Sequence, residues 1–364
     1  MPKTFYQSDL SSKQNPPCQY FGKCGGCQLQ DLAPNAYSAH KLNIAKNILN
    51  QLNAADDILQ PLVNIGQHQR RRVELKLALN KGKLLAGFYA PNSHKVIPIN
   101  HCLVADESIN NFIKLLNNYI TDSAQLRHVK TINITNADNG LDILYNSSKP
   151  LKQGDTSTLL EVVSRETYLC NTNVIKTNTR HEPFVRFNNI QVQIPAGAFL
   201  QASKKAESAM CKIVKTHTVN YTKIADLFCG LGTYSFALHD TNKNIYSYEI
   251  NPEAIYAMHN AIKTHNLNNI NAEIRDLFKN PLTTQRLNNF DCVIINPPRA
   301  GALAQVKQLA NSNVNKIIYV SCNPHSFTRD ALVLEQGGYK LIELTPIDQF
   351  CWSKHLEVVG VFSL

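Results

Sequence analysis

Ten cysteines are spread through 364 residues, and two of their settings have the spacing of chemistry. In Tyr319-Val320-Ser321-Cys322-Asn323-Pro324 a thiol stands where a β-branched and aromatic run, Ile317 to Val320, gives way to turn-forming residues. That places Cys322 at the carboxyl end of a buried strand, the edge at which open α/β sheets bind ligands. A cysteine there can act as a nucleophile once its pKa is lowered; the plainer alternative is a buried structural thiol. The second setting is Cys18, Cys24 and Cys27, a C-x5-C-x2-C pattern whose glycines let the backbone wrap tightly. Cys102, after an expected hairpin, is the next thiol able to join them. Four thiolates suit zinc or an iron–sulfur cluster. Three clustered cysteines with one remote favour the cluster over a zinc site built from two C-x2-C pairs.

A third stretch points to a nucleoside-bearing cofactor. Ile224 to Tyr234 reads as a strand, a turn with Gly230 and Gly232, and a helix start. Asp226 stands ahead of the glycines and no third glycine follows at the dinucleotide spacing, which is the look of an S-adenosylmethionine site. Glu249 ends a second strand, where a carboxylate accepts from ribose hydroxyls. Asp276 follows a third strand and is expected near the adenine. Asn296-Pro297-Pro298-Arg299 follows a fourth.

These loops need a sheet to align them. Strand and helix alternate from Ile224 onward, with strands expected at 245–249, 270–274, 291–295, 316–320, 339–344 and 357–362. This is the signature of an α/β doubly wound, Rossmann-like domain. Upstream, Asn35 to Asn53 reads as an amphipathic helix with Ala36, Ala39, Leu42, Ala45, Ile48, Leu49 and Leu52 on its apolar stripe. Val73 to Leu79 and Leu84 to Tyr89 read as a hairpin. Arg70, Arg71 and Arg72 enter it, to present guanidinium groups to phosphates or to keep a sheet edge soluble. A helix near Ile109 to Ile120 and strands at 131–134 and 141–145 make the middle α+β. The expected division is residues 1–105, a thiol-cluster module with the amphipathic helix and basic hairpin; 106–198, a central α+β region; and 199–364, the Rossmann-like domain.

The formal charge of +10 and pI near 9.0 favour a polyanionic partner. Hydrophobic content of 43% supports packed domains. No long apolar segment or signal-peptide core is evident, so the reading is a cytoplasmic, monomeric protein whose thiols stay reduced.

Taken together, C-x5-C-x2-C with Cys102, Phe199-Leu200-Gln201, Asp226 to Gly232, Asn296 to Gly301, Ser321 to Pro324 and His355-Leu356-Glu357 resemble the RNA uracil-C5 methyltransferase family. The likeness is to its iron–sulfur 23S rRNA branch and the tRNA-modifying relative. The resemblance implies a [4Fe-4S] cluster on Cys18, Cys24, Cys27 and Cys102. It implies a donor site with Gln201, Phe228, Thr233, Glu249, Asp276 and Asn296, Cys322 as nucleophile and Glu357 as base. It further implies an RNA substrate, 23S rRNA ahead of tRNA. Two departures stand out. Only a short polar tail precedes Cys18 where many relatives carry an RNA-binding β-barrel, which leaves RNA capture to the central region. Asn296 also replaces the family's usual Asp, although an amide can still accept from uracil N3–H and donate to O4. Competing readings are an adenine-N6 methyltransferase, which shares Asn-Pro-Pro but expects an aromatic residue where Arg299 stands, and a non-catalytic iron–sulfur RNA-binding assembly protein. Phe327, Phe350 and Trp352 are candidates for base stacking, with core packing the simpler role.

Overall fold

A computed structural model describes residues 12–120, 125–149, 163–170, 172–239 and 242–364. Two sheets organise it. The larger contains β1 (Val63–Asn64), β11 (Lys223–Leu227), β12 (Asn244–Glu249), β13 (Ile270–Ile274), β14 (Cys292–Ile295), β15 (Lys316–Ser321), β16 (Lys340–Asp348) and β17 (Glu357–Ser363). Their order is β1-β16-β17-β15-β14-β11-β12-β13. β11 to β15 run parallel, and β17 inserts antiparallel between β15 and β16. β14 and β15 are buried almost throughout, as strands covered on both faces must be. Apolar clusters line both faces of this sheet.

Helix starts lock the loops at the carboxyl edge. Asn323 and Asn251 each accept backbone N–H bonds as N-caps, with Pro324 and Pro252 in the first turn. Asn323-Pro324, read from sequence as a turn, is therefore the entry to the helix Pro324–Gln336.

The smaller sheet has the order β4-β3-β2-β5-β6-β7-β8. It comprises β2 (Arg72–Asn80), β3 (Lys83–Tyr89), β4 (Val96–Pro98), β5 (Val129–Ala137), β6 (Gly140–Ser147), β7 (Val163–Cys170) and β8 (Asn173–Thr179), and β9 (Phe184–Phe187) and β10 (Ile190–Gln193) form a separate antiparallel pair. The helix Glu107–Ile120 packs on it through Ile109, Phe112, Ile113 and Leu116. β2 pairs with both β3 and β5, so strands on either side of residue 105 share one sheet. The early helix α1 (Pro34–Gln51) and β1 go the other way. Ala45, Ile48 and Leu49 join the core beside Leu334, Leu341 and Leu344, and β1 extends the larger sheet. The chain thus visits the larger sheet, builds the smaller one and returns.

Arg71 and Arg72 serve neither of the roles expected for the run. Arg71 is 5% exposed, pairs with Glu207 at 2.5 Å and donates to the Gln201 carbonyl at 2.9 Å. Arg72 donates to the Leu200 carbonyl and lies 5.0 Å from the centre of the Phe199 ring. They brace the smaller sheet against the segment leading to the site. Removing one member of a buried ion pair strands the other charge, so Arg71→Met is expected to destabilise the protein by about 3–5 kcal/mol in urea unfolding. Arg71→Met with Glu207→Leu recovers most of that loss.

Candidate active site

Antiparallel pairing of β15 with β17 sets the centre of the site. Ser321 lies opposite Val358, so the next residues along, Cys322 and Glu357, face each other where β15 ends. The two groups feel one another: the Glu357 carboxylate helps push the Cys322 thiol up to about 11, after the larger effect of burial, while the Arg299 guanidinium opposes it. Glu357 is 2% exposed, and burial lifts it to about 7 against the hydrogen bond it accepts from Gln349 Nε2 at 2.5 Å. A carboxyl poised near neutrality beside a thiol is suited to general-base work.

Asn296 to Gly301 forms the wall beside Cys322. Asn323 Nδ2 donates to the Arg299 carbonyl at 2.8 Å, and buried Asp330 accepts from Ala302 N and Tyr319 Oη, both at 2.7 Å. Gly301 has φ +77°, and a Cβ there would collide with Arg329, Asp330 and Ser326. Asn296 N donates to the Leu227 carbonyl at 3.2 Å, joining this wall to the end of β11.

The residues expected from sequence to hold the methyl donor line the same edge. Phe228 follows β11 at φ +59°, with its ring 5.4 Å from Phe278. Glu249 ends β12 and accepts from Gly230 N at 3.1 Å and Asn251 N at 3.0 Å. Gly232, at φ +82°, caps the short helix Thr233–Ala237 that begins with Thr233. Asp276 lies two residues beyond β13 and accepts from Phe278 N and Lys279 N. Asp226 is not a ligand-facing group: it is fully buried, accepts from Ser235 N and Oγ, and ties β11 to the helix behind the glycines. Gln201 is 5% exposed and reaches this centre through Gln349, whose Nε2 also donates to Gln201 Oε1 at 3.3 Å.

Away from this edge, Cys18, Cys24, Cys27 and Cys102 line one cavity of about 300 Å³ together with Arg70, Phe350 and Cys351. Burial pushes the thiols of Cys24, Cys27 and Cys102 up, Cys27 to about 12, and the negative charge of neighbouring thiolates adds to it, so the donor set fits a cationic centre. A single tetrahedral zinc, with Zn–S bonds of ~2.3 Å, needs sulfurs within about 4 Å of one another. Among the described residues, the group with ligand atoms all within 4.8 Å is His68, His101 and Glu107, not the thiols. Four thiols spread around a cavity fit a polynuclear cluster better than one ion.

A model of the tRNA (Uracil-5-)-methyltransferase family matches residues 171–363. An uncharacterized RNA methyltransferase of Agrobacterium fabrum is 34% identical, covering 96% of this chain and 86% of that protein. The chain belongs to the RNA uracil-C5 methyltransferase family. It is an S-adenosylmethionine-dependent RNA (uracil-C5)-methyltransferase, and the adenine-N6 and non-catalytic readings fall away. The methyltransferase is also similar to the 23S rRNA (uracil(1939)-C(5))-methyltransferase of Haemophilus parainfluenzae, 28% identical over 97% of this chain and 83% of that protein. In fold it matches the Pyrococcus abyssi tRNA (uracil-54, C5)-methyltransferase solved with S-adenosyl-L-homocysteine, at a TM-score of 0.73 and 20% identity, covering 93% and 85% of the two chains. No helix among the described residues is long and apolar enough to cross a membrane.

Two features of the methyltransferase site escaped sequence reasoning. Phe278 has no motif of its own and is found only by its approach to Phe228. Gln349 lies in the loop before Glu357, and its role shows only once β16 and β17 are paired. Gln349→Leu removes a hydrogen bond to a buried carboxylate, worth about 1.5–3 kcal/mol, or roughly one to two pKa units. The bond favours the ionised form, so its loss raises the Glu357 pKa above about 7. Proton abstraction should then slow about tenfold at pH 7 and recover towards pH 9, as read from a pH–rate profile.

Thiols elsewhere are core residues. Cys229 and Cys292 are buried in an apolar cluster against the larger sheet, and Phe327 and Trp352 are likewise buried.

Proposed function

We propose that the enzyme methylates a uridine of 23S rRNA through a covalent bond between Cys322 and uracil C6, with Glu357 as the base that releases the product. The observation that carries this reading is the placement of Cys322 against the buried Glu357 at the end of β15. Likeness to the Haemophilus enzyme supports rRNA over tRNA.

Uracil C5 is a poor nucleophile. Cys322 reacts as its thiolate, the form the Arg299 guanidinium favours against burial and the Glu357 charge; it forms a bond to C6, and the C5=C6 electron pair moves onto C5 and O4 as an enolate. Gln201, Phe228, Thr233, Glu249, Asp276 and Asn296 would hold S-adenosylmethionine, which would supply an electrophilic methyl group: the C5–CH3 bond forms as the sulfonium S–CH3 bond breaks, giving S-adenosylhomocysteine. The carboxylate of Glu357 then takes the C5 proton, C5=C6 re-forms, and the C6–S bond breaks to return the Cys322 thiolate. Asn296 can accept from N3–H and donate to O4 of the base. The base must be unpaired or flipped to expose C6.

Cys18, Cys24, Cys27 and Cys102 are assigned a [4Fe-4S] cluster with a structural role, since no electron is transferred in the reaction. RNA capture is assigned to the smaller sheet, whose hairpin carries exposed Lys81 and Lys83.

The test is incubation with 5-fluorouridine-substituted 23S rRNA or tRNA and labelled S-adenosylmethionine, followed by a denaturing gel. Fluorine at C5 cannot be taken as a proton, so the adduct is trapped. A labelled, shifted band with rRNA and none with tRNA is expected. The reverse pattern reassigns the substrate, and no band with either removes the covalent mechanism.

A further inference from the structure

Residues 349–356 join β16 to β17 and end at Glu357, so the position of the base depends on a loop. That loop is held from α1, more than 300 residues earlier. Lys41 and Asp348 are both fully buried and pair at 2.8 Å. The remaining Lys41 donors reach the carbonyls of Phe350 at 3.3 Å and His355 at 2.5 Å, one near each end of the loop. Tyr37, one helical turn before Lys41, donates from its hydroxyl to Asp348 Oδ2. The Tyr37 hydroxyl oxygen in turn accepts from Trp352 N at 2.8 Å. Trp352 sits at φ +57°, a conformation a bulky residue keeps only when its surroundings over-determine it. They do: the Trp352 carbonyl accepts from Gln28 N at 2.8 Å and Leu29 N at 3.0 Å.

A buried lysine carries a desolvation cost that an apolar residue on the same helical face would avoid. Here its charge pairs with Asp348 at the end of β16 and its hydrogen bonds go to two carbonyls of the loop that follows. We propose that Lys41 and Tyr37 are positioning residues for Glu357, splinting its loop so that the carboxylate stays aligned with the C5 proton of the adduct. The proposal rests on Glu357 being the base. Its consequence is selective. Attack by Cys322 uses groups at the ends of β14 and β15, and the assigned donor residues meet the splinted loop only through the Gln349–Gln201 hydrogen bond, whereas release of the product needs Glu357 in register.

The experiment uses the cluster-bearing full chain and ordinary, unfluorinated RNA. Lys41→Met with Asp348→Asn removes both buried charges together, and Tyr37→Phe removes two hydrogen bonds at constant shape. Glu357→Gln is run beside them. Single-turnover methyl transfer and the fraction of protein covalently joined to methylated RNA are both measured, with Tm as the check on folding. The expected result is adduct accumulation in Glu357→Gln and in both splint variants, with resolution slowed at least tenfold relative to methyl transfer. A merely structural role would depress both steps together and leave no adduct, which overturns the proposal. Adduct in Glu357→Gln but in neither splint variant also overturns it while leaving the base assignment intact. No adduct in Glu357→Gln removes the base assignment and the proposal with it. Should the double variant fail to fold, Tyr37→Phe decides alone.

Discussion

Glu357→Gln protein, mixed with ordinary RNA and S-adenosylmethionine, is expected to stop at the methylated adduct. The amide is nearly the same size as the carboxyl, and the Gln349 and Gln201 side chains around it remain, so the pocket is retained. What disappears is the acceptor for the C5 proton. General-base catalysis contributes about 10²–10⁴-fold, and resolution of the adduct should fall by that factor while its formation persists. On a denaturing gel the 40.8 kDa protein should shift to the size of its RNA conjugate in near-stoichiometric amount, with label from the donor methyl group in the shifted band. In the wild type the same step should show a pH dependence. The folded-state pKa of Glu357 is raised to about 7, and the base acts only when ionised. Resolution therefore climbs with pH through about 7 and is level above it. Stopped-flow or quench measurements that find a flat profile from pH 5 to 9 would contradict the assignment.

Cys322→Ala should have the other large effect: no adduct on 5-fluorouridine RNA, and methylation lowered by more than about 10⁴-fold, in line with removal of a covalent nucleophile. Donor binding is expected to persist, because none of the residues assigned to it lies on β15. Calorimetric titration with S-adenosylhomocysteine checks this, and unchanged affinity with abolished transfer separates chemistry from folding. Cys322→Ser should also fail, as its hydroxyl is a far weaker nucleophile than a thiolate. Removing the negative charge opposite Cys322 gives a further sign to test. Burial and the Glu357 carboxylate both hold the thiol up, at about 11. Glu357→Gln should therefore lower the Cys322 pKa and quicken its alkylation by iodoacetamide at pH 8.

Much of the larger sheet is legible in the sequence because each parallel strand is an apolar run that ends in turn-forming or capping residues. Leu227-Phe228, Tyr248-Glu249 and Ser321-Cys322 all mark strand ends that the structure aligns on one edge. Local pattern carried that information. What stayed hidden depends on partners far along the chain. The apolar stripe read for α1 included Ala39 and Leu42, whereas the buried face contains Tyr37 and Lys41. A lysine is placed outside by any local rule, and only Asp348 explains it. Arg70 to Arg72 looked like a surface charge run because Glu207 and the carbonyls of Leu200 and Gln201 lie some 130 residues away. Pairing of β2 with β5 likewise spans the helix Glu107–Ile120, so a break at residue 105 looks natural in one dimension and divides a sheet in three. The pairing of Cys322 with Glu357 followed from family likeness, since no spacing rule connects two residues across a β15–β17 register.

The return of the chain to its first sheet has a consequence for synthesis. α1 leaves the ribosome early, but the residues that cover it, in the helix Pro324–Gln336 and in β16, are translated nearly three hundred residues later. At about 5–20 residues per second this is a delay of roughly 15–60 s. Throughout that interval Ile48 and Leu49 are unsheltered and Lys41 lacks its counter-ion. The smaller sheet, whose strands emerge in between, can fold first, so the nascent protein is expected to carry an ordered middle and an exposed, chaperone-attracting beginning. Arrested ribosomes bearing chains cut at residue 200 should be protease-resistant over β2 to β8 and cleaved within α1, with α1 protected only once β17 has emerged.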